Sequence, residues 1–191
     1  MTQLTRLYPD RLTRPLAGTY LAHELRDRGA PGRPFVYTNF IASLDGRIAQ
    51  RDARTGRYGV PRAIANDDDW ILFLELAAQA DAVVTSARRL RELAARGRTL
   101  RCVSDLATAD LAAWRRARKL PPFPACIVLS TTLNLPYDAL RALEHDEIIV
   151  VSSTEPTPTQ RRALNDAGVT VAASGGGRVR GDAVLAVARQ R

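Results

Sequence analysis

The chain has 191 residues, of which 46% are hydrophobic and 25% charged, a globular composition that excludes disordered, collagen-like and disulfide-stapled mini-protein classes. A chain of this length buries about 70% of its unfolded surface as one domain, so a single domain over 1–191 is expected, with an arm and helix over 1–32 ahead of a core over 33–191. Lysine and arginine total 28 against 20 acidic residues, a formal charge of +8, and every basic residue but Lys119 is an arginine; the guanidinium fork suits phosphate, although so one-sided a usage also has the look of codon bias throughout the chain.

An irregular arm with Pro9 and Pro15 leads into Leu16–Arg28, whose apolar spacing predicts a helix that stops at Gly29, with Pro31 and Pro34 beyond. Phe35–Ala42 reads as a strand, Ser43-Leu44-Asp45-Gly46 as a turn, and the polar stretch from Gln50 to Arg62 as a long loop. Asn66 followed by Asp67, Asp68 and Asp69 marks a helix start, because carboxylates favour the positive end of the helix dipole; no metal role is assigned to them. From there the pattern alternates. Strands are expected over Asp81–Thr85, Ala125–Ser130, Glu147–Ser152 and Val169–Ala173. Helices are expected over Ala87–Ala95, Ala109–Arg118, Tyr137–Leu143, Pro158–Ala167 and Gly181–Arg189. Continuous apolar strands separated by helices predict an α/β fold with a mostly parallel sheet and helices on both faces.

The composition and the ends of the chain bound its partners. The longest apolar runs, such as Ile148-Ile149-Val150-Val151, fall far short of the ~20 residues that span a bilayer, so no membrane partner is expected. The opening Met1–Arg6 lacks the apolar core of a secretory signal, which makes the cytoplasm the expected location. Nucleic-acid binding asks for a basic stripe interleaved with stacking aromatics. Aromatics are only 6% and the Arg-dense stretch 88–101 holds none, so no nucleic-acid partner is expected. Cys102 and Cys126 form no CxxC pair, and reduced core thiols are expected. His23 and His145 are isolated in sequence and are expected to be surface helix residues rather than a base or metal ligand.

In open α/β sheets ligands bind outside the carboxyl ends of the strands. Here several predicted strands end in hydroxyls: Thr85-Ser86, Ser130-Thr131-Thr132, Ser152-Ser153-Thr154 and Ser174 before Gly175-Gly176-Gly177. Hydroxyls beside helix N-terminal amides suit a phosphorylated ligand, while each hydroxyl taken singly serves equally as a plain helix cap. The sequence contains no G-x-G-x-x-G, Walker A, G-x-S-x-G or HExxH pattern.

Arg33-Pro34, the strand after it, and Asn39 followed by Ser43-Leu44-Asp45-Gly46-Arg47 resemble the opening of the riboflavin-pathway pyrimidine reductases, the RibD C-terminal domain family. Ala78–Val84 and Pro124–Pro136 are similar to later strand entries of that family, and the likeness runs over about residues 33–189. It implies a dihydrofolate-reductase-like fold, NADPH as cofactor, a small phosphorylated substrate and a homodimer. The reaction implied reduces a phosphoribosylamino-pyrimidine to its ribitylamino product. By position, Asn39, Ser43 and Asp45 match substrate-side residues, with Asp45 the candidate catalytic group, and Gly46 permits close backbone approach. Thr85, Ser86, Ala87, Arg88 and Arg89 match the loop near cofactor phosphate, and Ser130 and Ser152 match cofactor-side strand ends. Asp45 reads equally as a turn residue before Gly46.

The likeness has departures. Arg89 stands where the family has a Thr, and Ala77 where it has an Arg. The preferred alignment makes Gly175-Gly176-Gly177 an ordinary loop and puts the family's glycine turn and last strands beyond residue 191; a second equates this triple glycine with the cofactor turn. Two further functions stay open: a degenerate, non-catalytic paralogue that binds a ligand or a partner, and a reductase of pterin-like or folate-like substrates.

Overall fold

The computed structural model describes residues 2–56, 58–61, 64–98, 100, 103–143 and 147–190. Where an irregular arm was expected, β1 (Gln3–Arg6) pairs antiparallel with β2 (Leu12–Pro15), Leu4 opposite Arg14. The helix expected over Leu16–Arg28 is instead two 3-10 turns, Leu21–His23 and Leu25–Arg28, broken at Glu24 with φ 45°. Amides that an α-helix would bond internally are taken by side chains from elsewhere. The Glu75 carboxylate accepts from the backbone N–H of Gly18, of Tyr20 and of Leu21, and Gln79 Oε1 accepts from Leu25 N at 2.8 Å. Long-range acceptors have outcompeted the local ladder.

Phe35–Ala42, read as a strand, joins no sheet among the described residues, and residues 34–42 make no backbone–backbone hydrogen bond to any of them. The long polar loop holds a two-residue ribbon, β3 (Gln50–Arg51) against β4 (Tyr58–Gly59). Asn66 then caps α1 (Asp67–Ala78), its Oδ1 accepting from Asp69 N at 2.8 Å, as the Asn-Asp-Asp-Asp signal requires.

The rest follows the predicted alternation, with boundaries moved by a residue or two. In order come β5 (Ala82–Ser86), α2 (Ala87–Ala94), a 3-10 turn Ser104–Ala107, α3 (Ala109–Ala117), β6 (Ala125–Ser130), α4 (Tyr137–Arg141), β7 (Ile148–Ser152), α5 (Pro158–Asp166), β8 (Thr170–Ala173) and α6 (Gly181–Ala188). The strands form one parallel sheet in the order β5-β6-β7-β8, with Val84 opposite Ile127 and Ser130 opposite Ser152. Each crossover carries a helix, as parallel pairing demands.

Helices cover both faces. Cys126, Val128, Ile148 and Val150 pack under Leu90, Leu140 and Leu164 from α2, α4 and α5. The alternate residues Ile127, Ile149 and Val151 pack under Val187, Val184 and Ala183 of α6. A third cluster joins Leu74, Ala77 and Ala78 of α1 to Leu106 and Leu111. The expectation of reduced thiols is corrected at Cys126, which is buried in β6 and disulfide-bonded; two half-cystines can close a covalent loop even in a core large enough to stand without one. Cys102 and His145 lie outside the described residues, and His23 is exposed in its 3-10 turn. No helix among the described residues is long and apolar enough to cross a membrane.

Candidate functional site

Three of the predicted hydroxyls line up at the carboxyl end of the sheet. Ser86, Ser130 and Ser152 end β5, β6 and β7, and the register sets Ser86 beside Leu129 and Ser130 beside Ser152. Each oxygen is already used by the chain. Ser86 Oγ caps α2 by accepting from Arg89 N at 3.3 Å, Ser130 Oγ accepts from Leu133 N at 3.0 Å, and Ser152 Oγ accepts from Thr154 N at 3.1 Å. Ser153 and Thr154 both donate to Thr131 O at 3.1 Å, tying the β7 end to the β6 end. The row is therefore a set of turns locked by its own side chains. Ser174 follows β8 and donates its N–H to Ser152 O at 2.6 Å, while its buried Oγ has no partner.

Thr85 is half-buried, Ala87 is buried, and Arg88 pairs with Glu92 at 3.0 Å. Arg89 is exposed and makes no ion pair among the described residues, and its guanidinium stands in the first turn of α2, where the dipole and first-turn amides also favour an anion. The triple glycine lies between β8 and α6, with φ of +67°, +79° and +75° at Gly175, Gly176 and Gly177. It is a loop between a strand and a helix, as the preferred alignment has it.

The substrate-side candidates lie on a different element. Ser43 to Arg47 close a tight turn: Gly46 N donates to Ser43 O at 2.8 Å, Ser43 N to Arg47 O at 3.0 Å, and Gly46 takes φ +79°. Ser43 Oγ donates to Asp45 Oδ1, and Asp45 Oδ2 pairs with Arg47 at 3.0 Å. The Asp45 carboxylate is thus exposed and engaged within its own turn. Asn39 is exposed on the extended segment before it. No hydrogen bond or ion pair joins Asn39, Ser43 or Asp45 to Ser86, Ser130 or Ser152.

What the extended segment does border is a cleft of about 720 Å³, a volume typical of small-molecule pockets. One side is Arg33–Phe40, the other Val83 and Val84 of β5 with Ile127; Phe73 and Leu76 of α1 and Ala188 and Arg189 at the end of α6 complete it. Asn39 is the one candidate residue on its lining. The continuous apolar run of β5 announces burial on both sides, yet Val84 is 50% exposed, and no local pattern could have signalled that.

Arg26, Tyr37 and Asp81 on the cleft lining belong, with Arg115, to a polar cluster that the sequence reading missed, since an isolated Tyr or Arg carries no spacing signal. Tyr37 Oη donates to Leu76 O at 2.7 Å, and burial, then the charge of Asp81, pushes its pKa up to about 12. Arg115, with 1% of its surface exposed, donates to Ala78 O at 2.7 Å, Ala80 O at 3.0 Å and Pro121 O at 2.7 Å. It neutralises the carbonyl end of α1, and burial holds its pKa down. Arg26 pairs with Asp81 at the entrance to β5.

A solved structure that the chain resembles, a pyrimidine reductase-like protein from Corynebacterium diphtheriae, superposes with a TM-score of 0.57 at 17% identity, covering 80% of this chain and 59% of that one. The likeness is one of fold, the dihydrofolate-reductase-like architecture expected from the sequence, and the chain spans about three-fifths of that structure's length. No curated protein matches the chain. The family model described as RibD C-terminal domain matches residues 34–191, a span that takes in the Ser43–Arg47 turn, the whole parallel sheet and α6. The chain belongs to the RibD C-terminal domain family.

Proposed function

We propose that the chain is an NADPH-dependent reductase acting on a phosphoribosylamino-pyrimidine of riboflavin biosynthesis or a related heterocycle, and that it works as a homodimer in the cytoplasm. Family membership across 34–191 is the observation that carries this reading. The neighbour's description as pyrimidine reductase-like supports it. NADPH supplies a hydride when bound, so the protein's tasks are binding, orientation and exclusion of water.

The residues at the sheet's carboxyl end suit the phosphates of such a cofactor. Arg89 offers a guanidinium with no ion pair among the described residues, α2 offers first-turn amides, and the chain's charge of +8 attracts a polyanion. In this reading Thr85, Ser86, Ala87, Arg88 and Arg89 hold a phosphate, and Ser130 and Ser152 shape the strand-end floor. Asn39 and Ser43 face substrate, Asp45 holds or moves a proton there, and Gly46 lets the turn come close. Titration with NADPH followed by fluorescence tests it: saturable binding, weakened about tenfold or more by Arg89→Ala through loss of a charge-assisted contact, is the expected result. No binding at millimolar NADPH overturns it.

A second reading, a non-catalytic paralogue that binds a ligand or partner, is favoured by one observation. The Ser43–Arg47 turn satisfies its own polar groups and shares no hydrogen bond or ion pair with the strand-end serines. Saturable NADPH binding without turnover on any pyrimidine or pterin substrate is what this reading expects.

A further inference from the structure

Cys126 is disulfide-bonded in a chain long enough to hold its core without a staple. It is the second residue of β6, flanked in register by Val83 of β5 and Ile148 of β7, and is 7% exposed. The sequence holds one other cysteine, Cys102, in the link between α2 and the 3-10 turn at Ser104. The described residues to either side of that position are anchored in different clusters. Leu100 packs with Leu90 of α2 and with Cys126, whereas Val103 packs with Leu74, Ala77 and Ala78 of α1.

The helix ahead of this link depends on such ties. α2 has eight residues, fewer than the about 12–15 at which a helix holds in water by itself, and only Ala87 and Leu90 of it are buried. Arg91 adds a bond to Asn134 O at 2.6 Å. The start of α2 carries Ser86 to Arg89, the stretch assigned above to cofactor phosphate. A constraint on the chain that leaves α2 therefore bears on that stretch.

We propose that the Cys126 disulfide, with Cys102 as its other half, is a redox switch that tightens or loosens α2 and so sets the affinity of the phosphate end of the site. The inference rests on the reductase reading for its ligand and its compartment. In a reducing compartment a purely structural disulfide is rare, and those that form are usually catalytic or redox-sensing. A dithiol of the thioredoxin class opens the bond: its thiolate attacks one sulfur, a mixed disulfide forms, and the second thiol of the reductant resolves it. The S–S bond of the chain breaks, two thiols remain on the chain, and the reductant leaves as a disulfide, two electrons and two protons having passed to the protein. The sheet keeps its register without the bond, because β6 is paired on both sides and Cys126 N donates to Glu147 O at 2.8 Å. The loosening is then confined to α2 and the link after it.

The test uses the full chain in reduced and oxidised dithiothreitol at stepped ratios. Alkylation with intact mass reads the bond, amide hydrogen exchange reads α2, and NADPH titration reads the site. The expected result is that the bond opens while the sheet stays folded. Exchange in 87–94 quickens about tenfold or more while exchange in β6 and β7 holds, and NADPH binds about fivefold or more weakly. Cys102→Ser and Cys126→Ala each match the reduced chain at every ratio. The proposal is overturned if the bond opens only when the sheet unfolds, which makes it a staple, if exchange in α2 is the same in both states, or if NADPH binds equally well to both. Absence of NADPH binding in either state, with α2 exchange still following the bond, overturns the reductase reading instead and leaves the switch on α2 standing.

Discussion

Tyr37 lies in the run after Arg33-Pro34 but was given no role there, yet it ties the extended segment to the end of α1. Its hydroxyl is stable as a neutral donor because burial and the neighbouring Asp81 carboxylate disfavour the phenolate. With the folded pKa raised to about 12 from 10.0, the folded state keeps a proton that the unfolded chain loses. Stability is therefore fully present below pH 10 and falls as pH rises from about 10 to 12. Chemical denaturation at stepped pH should show this alkaline loss in the native chain and a flatter profile over the same window in Tyr37→Phe, which has no proton to lose. At Asp45 the turn role expected from Ser-Leu-Asp-Gly is what the structure displays. Its catalytic role stays with the proposal, because sequence spacing cannot say which partner a short carboxylate finds first.

Among the elements, those whose signals are local came out of the sequence nearly intact. Asn66 before three aspartates, Thr157-Pro158 with Gln160 before α5, and the runs 125–130 and 148–152 each carry their own start or stop chemistry. Thr157 and Gln160 form a full capping box, Gln160 Oε1 accepting from Thr157 N at 3.0 Å and Thr157 Oγ1 accepting from Gln160 N at 3.3 Å. Thr157→Ala should cost about 1 kcal/mol of stability, read as a shifted urea midpoint with an unchanged slope. Leu16–Arg28 failed as a predicted helix for the opposite reason. Its apolar spacing is helical, but its amides are captured by Glu75 and Gln79 more than fifty residues away. Phe35–Ala42 has strand composition, and composition cannot supply the neighbouring edge that a strand requires.

On the scale of the whole molecule, two buried side chains join parts of the chain that no local rule connects. Glu75, 4% exposed, holds the segment 18–21 through three backbone amides. Arg115 gathers the end of α1, the approach to β5 and the turn at Pro121. Glu75→Ala should strand those amides, lower stability by about 3 kcal/mol, and expose the 1–30 arm to early proteolysis while the parallel sheet persists. Limited proteolysis with mass spectrometry distinguishes that from global unfolding, in which the arm and the sheet would be cut together.

The α/β class, the order of helices and strands from α1 onward and the resemblance to the family were legible along the chain, because hydrophobic period, caps and the Ser-Leu-Asp-Gly-Arg turn are written within a few residues of one another. Packing settled that 16–28 coils into two short turns, that 34–42 joins no sheet among the described residues, that Cys126 is bonded, and that the strand-end hydroxyls close their own loops. Each of these depends on which distant donor, acceptor or edge reaches a group first, and that competition is settled by packing rather than by spacing along the chain.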